Sequence, residues 1–352
     1  MLASEDVIKA LILAGGSGNE LRPLSIHTPK PMLPVGNLPL LLYQIERIKR
    51  AKITEFILSI SYPPRTIHSV MKEGDMFGIL LRYHVESSPL GTAGAFRRAH
   101  NLIDDTTVIL NGDVLAEFPL QEMLEAHQAR GAMVTIGTCR VSNPQAYGTV
   151  EVNQQGLVKR FSERPRGKQV MTNRINAGIY IVEREILSMI PKQEACFFET
   201  GLFPQLLQSG RPVLAYDIGQ NWLEITRPAS YLQSNMDLLE GRIRPPAFPA
   251  YPQQHHPPSH AEASVDDHSL IGENCVIKPG VRIVHSVVGA NCRIEEDAFI
   301  RNSVLWPGCR VQQGSVISGT VLGKGCQIGE GAYLRSGNIL GDKSLITDFS
   351  RV

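Results

Sequence analysis

Several things are scarce in this 352-residue sequence. No sign of charge dominates: 35 Lys and Arg face 34 Asp and Glu, so no basic surface for nucleic acid is implied. No apolar run approaches the roughly 18 residues that cross a bilayer, and Met1–Lys9 carries two acids and no apolar stretch of signal-peptide type. A cytoplasmic protein with neither a membrane nor a nucleic-acid partner is expected. Its six cysteines are then reduced thiols rather than a disulfide framework. The patterns G-x-S-x-G, H-E-x-x-H and C-x-x-C are all missing, which removes the commonest serine-hydrolase and zinc-site readings. What remains is 43% hydrophobic and 20% charged, a globular composition of two-domain length.

The chain divides at a proline-rich stretch, residues 244–264, which holds six prolines and no apolar period. Such text reads as a semi-rigid linker. His255, His256 and His260 within it suggest a metal site, but solvated linker is the better reading without an element to fix the rings.

Beyond the linker a repeat begins. Cys275, Cys292, Cys309 and Cys326 stand 17 residues apart. The same step relates Ile271, Val288, Leu305 and Leu322, then Ile277, Ile294, Val311 and Ile328, then Ile283, Ile300, Ile317 and Leu334. One inward aliphatic residue on each of three short faces describes a coil that buries its columns by stacking. Residues 265–352 should form four such coils and a start on a fifth. The pattern resembles the hexapeptide repeats of left-handed parallel β-helices, and the handedness is taken from that resemblance. The cysteine column reads as small buried side chains.

Residues 1–243 alternate differently. Apolar runs at 7–14, 56–60, 80–85, 107–110 and 133–137 read as buried strands, with amphipathic segments at 40–50, 67–72 and 120–130. An α/β domain with a Rossmann-like, mixed but mostly parallel sheet follows, with ligands beyond the carboxyl ends of its strands. The motifs fall there. Ala14-Gly15-Gly16-Ser17-Gly18 follows the first strand, where backbone N–H groups can approach a phosphate. Thr28-Pro29-Lys30-Pro31 pins a lysine in a stiff segment; a solvated loop lysine fits the same text. Asn111-Gly112-Asp113 sets a carboxylate past the fourth strand, suited to Mg²⁺ or to an ordinary turn.

Together these residues resemble the sugar-1-phosphate nucleotidyltransferases, within them most closely the enzymes that join GTP to mannose 1-phosphate. Leu11 through Gly18, with Pro29-Lys30-Pro31, is similar to the family's nucleotide loop. Residues 86–94 (ESSPLGTAG) match the segment that receives the base, and Asn111-Gly112-Asp113-Val114 the metal-binding aspartate. Tyr147-Gly148, Glu163-Arg164-Pro165, Asn176-Ala177-Gly178 and Glu199 match the sugar-phosphate pocket, and Trp222-Leu223-Glu224 the second metal carboxylate.

The resemblance implies that Leu13, Ala14, Gly15, Gly16, Glu20, Lys30, Glu86, Pro89, Gly91, Thr92 and Gly112 meet the nucleotide. Tyr147, Gly148, Glu163, Arg164, Asn176, Gly178 and Glu199 meet the sugar phosphate. Lys30, Asp113 and Arg164 carry the catalytic charges, and Asp113 with Glu224 holds Mg²⁺. The substrates are then a nucleoside triphosphate and a sugar 1-phosphate, and the product is a nucleotide sugar. A homo-oligomer is expected from the exposed last edge of the β-helix.

The pattern breaks in places. The family loop reads G-x-G-T-R-L, whereas here Asn19-Glu20-Leu21 puts an acid where the arginine stands. Glu224 replaces an aspartate, Thr226 a glycine, Arg164 a lysine and Thr200 the lysine after Glu199. A relative that binds nucleotide sugars without turnover, regulating or scaffolding a partner, therefore stays open. Acyl transfer on the β-helix has only His285 to support it.

Overall fold

The computed structural model describes residues 8–16, 18–61, 65–86, 88–167, 170–192, 194–248 and 262–352. The histidines of the linker, Ser17 and Ser87 lie outside them. The described residues form two compact units, one from those within 8–16 and 44–222, the other from those within 18–43 and 223–352.

The first unit is built on a nine-stranded sheet. Its strands are β1 (Lys9–Leu13), β2 (Glu55–Ile60), β3 (Leu80–Val85), β4 (Thr107–Asn111), β5 (Val134–Arg140), β6 (Thr149–Val152), β7 (Val158–Ser162), β8 (Arg174–Val182) and β9 (Val213–Asp217). The order is β7-β6-β8-β4-β1-β2-β3, with β5 beside β8 and β9 beside β5. Strand β1 runs parallel to β2 and β4, and β2 parallel to β3. The Ile, Leu and Val runs of β1, β2 and β4 are buried, as expected of strands covered on both faces, whereas β3 at the sheet edge leaves Leu80 and Val85 exposed. Three of them end together, at Leu13, Ile60 and Asn111, so the segments following them share one edge of the sheet.

Strand β8 enters antiparallel against β4, β5 and β6 and is irregular between Asn176 and Tyr180. Gly178 lies in that irregularity with φ +70°. Helices α1 (Leu40–Lys49), α2 (Arg65–Met71), α3 (Gly91–Arg98), α4 (Leu120–Ala129) and α5 (Phe203–Gln208) intervene. The core joins Leu11, Ile57, Ile109 and Tyr180 to Phe96, Phe198 and Phe203. The Phe198 and Phe203 rings stack at 5.8 Å between centroids.

The second unit contains α6 (Pro228–Leu239) and a parallel β-helix of three five-stranded sheets. Its inward columns, Ile277 to Ile328 and Ile283 to Leu334 among them, are buried as the 17-residue step requires. There are five coils rather than four and a beginning. The fifth escaped the pattern because the step lengthens: Leu322 pairs with Leu340 and Ile328 with Ile346, 18 residues on. The thiols of the cysteine column do more than fill space. Cys275, Cys292, Cys309 and Cys326 each donate to a carbonyl 14 or 15 residues ahead, at 3.1–3.3 Å. Asn274 and Asn291 turn the corners at φ +56° and +59°, a conformation asparagine tolerates.

Candidate active site

At the carboxyl edge of the sheet the backbone is packed too closely for side chains. The Ala14 amide donates to Ser59 O at 2.8 Å and the Gly112 amide to Leu13 O at 2.9 Å, so the turns after β1 and β4 are stitched together. A Cβ on Gly112 would stand 2.6 Å from Leu13 O, and one on Gly15 2.7 Å from Ser61 Oγ. Gly16 differs: among the described residues a Cβ there would meet nothing within 4 Å. Leu13, Ala14, Gly15, Gly16 and Gly112 are thus brought together as one bare backbone ledge. Ser61 Oγ donates to Gly15 O at 2.5 Å and Ser59 Oγ to Glu86 Oε1 at 2.7 Å, which fixes Glu86 beside the ledge.

Gln44 braces the turn that carries Asp113. Its Nε2 donates to Asn111 O and Val114 O, both at 2.9 Å. Among the described residues the buried Asn111 Oδ1 atom has no hydrogen-bond partner, and a Cβ on Gly178 would touch Asn111 Nδ2 at 2.8 Å.

A second cluster joins segment 86–94 to Asn176, Gly178, Tyr180 and Glu199. Gly91 opens α3 at φ +77°, where a Cβ would strike Cys196 O at 2.6 Å. The Gly94 amide donates to that carbonyl at 3.0 Å. Thr92 Oγ1 donates to Glu199 Oε2 at 3.1 Å, and Tyr180 OH donates to Glu199 Oε1 at 3.1 Å. Asn176 Nδ2 in turn donates to Tyr180 OH at 2.8 Å, and Asn176 Oδ1 accepts the Gly178 amide at 3.0 Å. Pro89 is exposed at the start of this cluster.

Glu163 lies against Gly148, where a Cβ would meet its Oε2 at 2.6 Å. Partial desolvation pushes the Glu163 carboxyl up, the Glu199 carboxylate adds to the rise, and Arg164 opposes it. Arg164 Nε is 3.7 Å from Glu163 Oε1 on a largely exposed side chain. Burial, with Glu199 next, raises the Tyr180 phenol far above its ordinary range, so Tyr180 acts as a donor. The Tyr147 ring meets Trp222 edge-on at 5.4 Å, and the Trp222 indole donates to Ala177 O at 2.8 Å.

Three residues singled out in the sequence belong to the other unit. Glu20 is exposed in a turn over Asn19–Leu21 that follows Gly18 at φ +63°. Lys30 is half-buried and opens the turn Lys30–Met32. Glu224 is half-buried and ends the strand Trp222–Glu224.

Residues 9–241 match the nucleotidyl transferase family, two-thirds of the sequence. The chain belongs to the nucleotidyl transferase family. Residues 251–352 match a second family, the left-handed β-helix domain described for the EIF2B epsilon subunit. The mannose-1-phosphate guanylyltransferase of Mycobacterium tuberculosis is 33% identical over 284 residues, 78% of each chain. The mannose-1-phosphate guanyltransferase of Saccharomyces cerevisiae is 33% identical over 235 residues, 65% of this chain and 64% of its own. Among solved structures, a putative glucose-1-phosphate thymidylyltransferase from Bacillus anthracis superposes with a TM-score of 0.60 at 21% identity. That match covers 65% of this chain and 94% of the other, and it bears on the fold alone.

Within the candidate site, sequence reasoning missed Tyr180, Gln44, Ser59 and Ser61. Tyr180 was within reach, because Asn176, Gly178 and Tyr180 alternate along one strand and so share a face. Gln44 was not, since nothing local marks a helix residue that braces a turn 67 residues on. Among the described residues no helix is long and apolar enough to cross a membrane.

Proposed function

We propose that this chain is a sugar-1-phosphate nucleotidyltransferase that joins GTP to mannose 1-phosphate, giving GDP-mannose and pyrophosphate. The observation that carries the reading is Glu199. Both its oxygens are hydrogen-bonded, by Thr92 from the base-side segment and by Tyr180 from β8, with Glu163 beside it. A carboxylate with a fixed plane can accept neighbouring hydroxyls of a pyranose in one orientation, and orientation is most of what this chemistry asks of a protein. Guanine and mannose are assigned from the mycobacterial and yeast relatives.

In this reading the backbone of Leu13, Ala14, Gly15, Gly16 and Gly112 lies against the nucleotide, with Glu86, Pro89, Gly91 and Thr92 around the base. Lys30 meets the triphosphate and Arg164 the sugar phosphate. Asn176, Gly178 and Glu199 hold the sugar, with Tyr147, Gly148 and Glu163 lining it. A phosphate oxygen of the sugar 1-phosphate bonds to the α-phosphorus in line as the bond to the β-phosphate oxygen breaks. Pyrophosphate leaves with that oxygen.

The donor set suits Mg²⁺. Among the described residues no group of three or more His, Cys, Asp or Glu side chains could cage a metal. Mg²⁺ commonly binds through one or two carboxylates plus substrate phosphates, which Asp113 and Glu224 would supply, and the orphaned Asn111 Oδ1 offers one more buried oxygen beside that turn. When bound, the ion offsets charge on the phosphates.

Residues 1–243 are assigned the transfer site, 244–264 the linker and 265–352 structure and assembly, in a cytoplasmic homo-oligomer. The competing reading, a nucleotide-sugar binder without turnover, rests on Glu20, an exposed acid where the family arginine stands. Calorimetric titration with GDP-mannose and Mg²⁺ tests the pocket that both readings share. Neither heat nor thermal stabilisation at millimolar ligand would overturn both.

A further inference from the structure

The segment that carries Glu20 and Lys30 is grouped with the β-helix, and its attachment there is specific. At its centre strands Pro34–Val35 and Leu38–Pro39 pair antiparallel, with Val35 opposite Leu38. Gly36 and Asn37 between them take φ +52° and +67°, the pair of left-handed conformations that a type I′ hairpin requires.

Helix α6 grips this hairpin. The Gly36 amide donates to Asn235 Oδ1 at 2.9 Å, and the Tyr231 hydroxyl donates to Pro34 O at 2.5 Å. Tyr231 and Asn235 are four residues apart and share a helix face. A Cβ on Gly36 would lie 2.0 Å from Leu238 Cδ2, so any larger residue there must displace the Leu238 side chain.

The β-helix completes the grip. Asn37 Nδ2 donates to Val288 O, in the second coil, at 3.0 Å. The Trp306 indole, in the third coil, donates to the Tyr231 hydroxyl at 2.8 Å. A Cβ on Gly341, in the fifth coil, would meet Pro23 Cβ at 3.1 Å. Trp306 and Tyr231 are both fully buried, so water cannot take the place of the bond between them, while the bond to Pro34 O is partly buried. Four residues before Pro34 stands Lys30, whose turn is closed by the Met32 amide on Pro29 O at 2.8 Å and the Leu33 amide on Lys30 O at 3.1 Å.

We infer that Trp306 and Tyr231 are positioning residues for the triphosphate-binding turn, acting through Pro34 O on the segment that carries Lys30. The β-helix is then part of the scaffold of the nucleotide site and not only an assembly surface. The inference rests on the role proposed above for Lys30. It predicts that removing one hydroxyl from helix α6, or one indole from the third coil, weakens binding of the terminal phosphates and leaves binding of the nucleoside and α-phosphate as it was.

The test uses the full chain with Tyr231→Phe, which keeps the ring, and Trp306→Phe as a second variant. Two readings are taken: amide hydrogen exchange at Met32 and Leu33, and calorimetric affinity for GTP and for GMP with Mg²⁺. Both variants should exchange at Met32 and Leu33 about fivefold faster and bind GTP about fivefold more weakly, as the loss of one hydrogen bond implies. GMP affinity should change less than about twofold, since the shared ledge is untouched. Unchanged exchange at Met32 and Leu33 overturns the relay, whatever the nucleotide does. Faster exchange with GTP affinity unchanged, or with GMP weakened equally, overturns the positioning role. A wild-type protein that binds no GTP brings down the proposed function instead, and the exchange reading still decides the relay.

Discussion

Thr92 Oγ1 donates to Glu199 Oε2 at 3.1 Å while accepting the Phe198 amide at 2.9 Å, so one hydroxyl ties segment 86–94 to the Glu199 carboxylate. Thr92→Val keeps the shape and removes both bonds. Hydrogen bonds to charged groups contribute about 1.5–3 kcal/mol. KM for the sugar phosphate should therefore rise about tenfold or more, with a smaller rise in KM for the nucleotide, whose base meets segment 86–94 through its backbone. Steady-state kinetics with each substrate varied in turn checks it. Equal losses for both substrates would mean that the contact holds the fold of α3 and not the sugar site.

Glu20 reverses a charge. A unit charge about 4 Å away is worth roughly 4 kcal/mol at an effective dielectric near 20. Restoring the cation with Glu20→Arg should accelerate pyrophosphate release by at least about tenfold over a slow wild type. Brisk wild-type turnover that the substitution leaves unimproved would show that another cation neutralises the leaving phosphates.

Two glycines of the ledge should part company. Gly112→Ala places a Cβ against the Leu13 carbonyl, and shifting that backbone costs about 1–3 kcal/mol in urea unfolding. Gly16→Ala meets open space, so its stability should stay within about 0.5 kcal/mol of wild type. Its methyl nevertheless stands where a phosphate would approach backbone amides, and nucleotide affinity should fall about tenfold. A Gly16→Ala protein with unimpaired nucleotide binding removes Gly16 from the site.

Away from the site, Glu183 Oε1 is 2.8 Å from His127 Nε2 and accepts the Thr106 hydroxyl at 2.8 Å. The hydrogen bond from His127 holds the Glu183 carboxyl below the usual range, with Thr106 adding to it against desolvation. A depressed carboxyl contributes stability above its unfolded pKa and loses it as pH falls through the folded one. Glu183→Gln should cost about 1–2 kcal/mol at pH 7, a deficit that shrinks as pH drops below about 4. A deficit independent of pH between 7 and 3 would contradict the assignment.

What the sequence showed depended on periodicity. The predicted strands at 56–60 and 107–110 match β2 and β4 to within a residue, because buried parallel strands are continuous apolar runs, and 80–85 matches the partly exposed edge strand β3. Strands β6 and β7 escaped because they mix polar and apolar residues, β7 reading Val-Lys-Arg-Phe-Ser, and β8 because it is broken at Gly178. The 17-residue step revealed the β-helix and then hid its fifth coil, where one added residue puts Ser344 and not Lys343 in register with Cys326. The ledge glycines were visible as a motif. The grip of α6 on Gly36 was not, since it links residues 199 apart with no local signature.

The most direct measurement is phosphorus NMR of the full-length protein with GTP, mannose 1-phosphate and Mg²⁺. The account predicts GDP-mannose and pyrophosphate appearing together in equal amounts, slowly in wild type and faster in Glu20→Arg. GDP-mannose binding with no nucleotide sugar formed from GTP, by either protein, would contradict it and leave a nucleotide-sugar-binding relative that has lost the transfer.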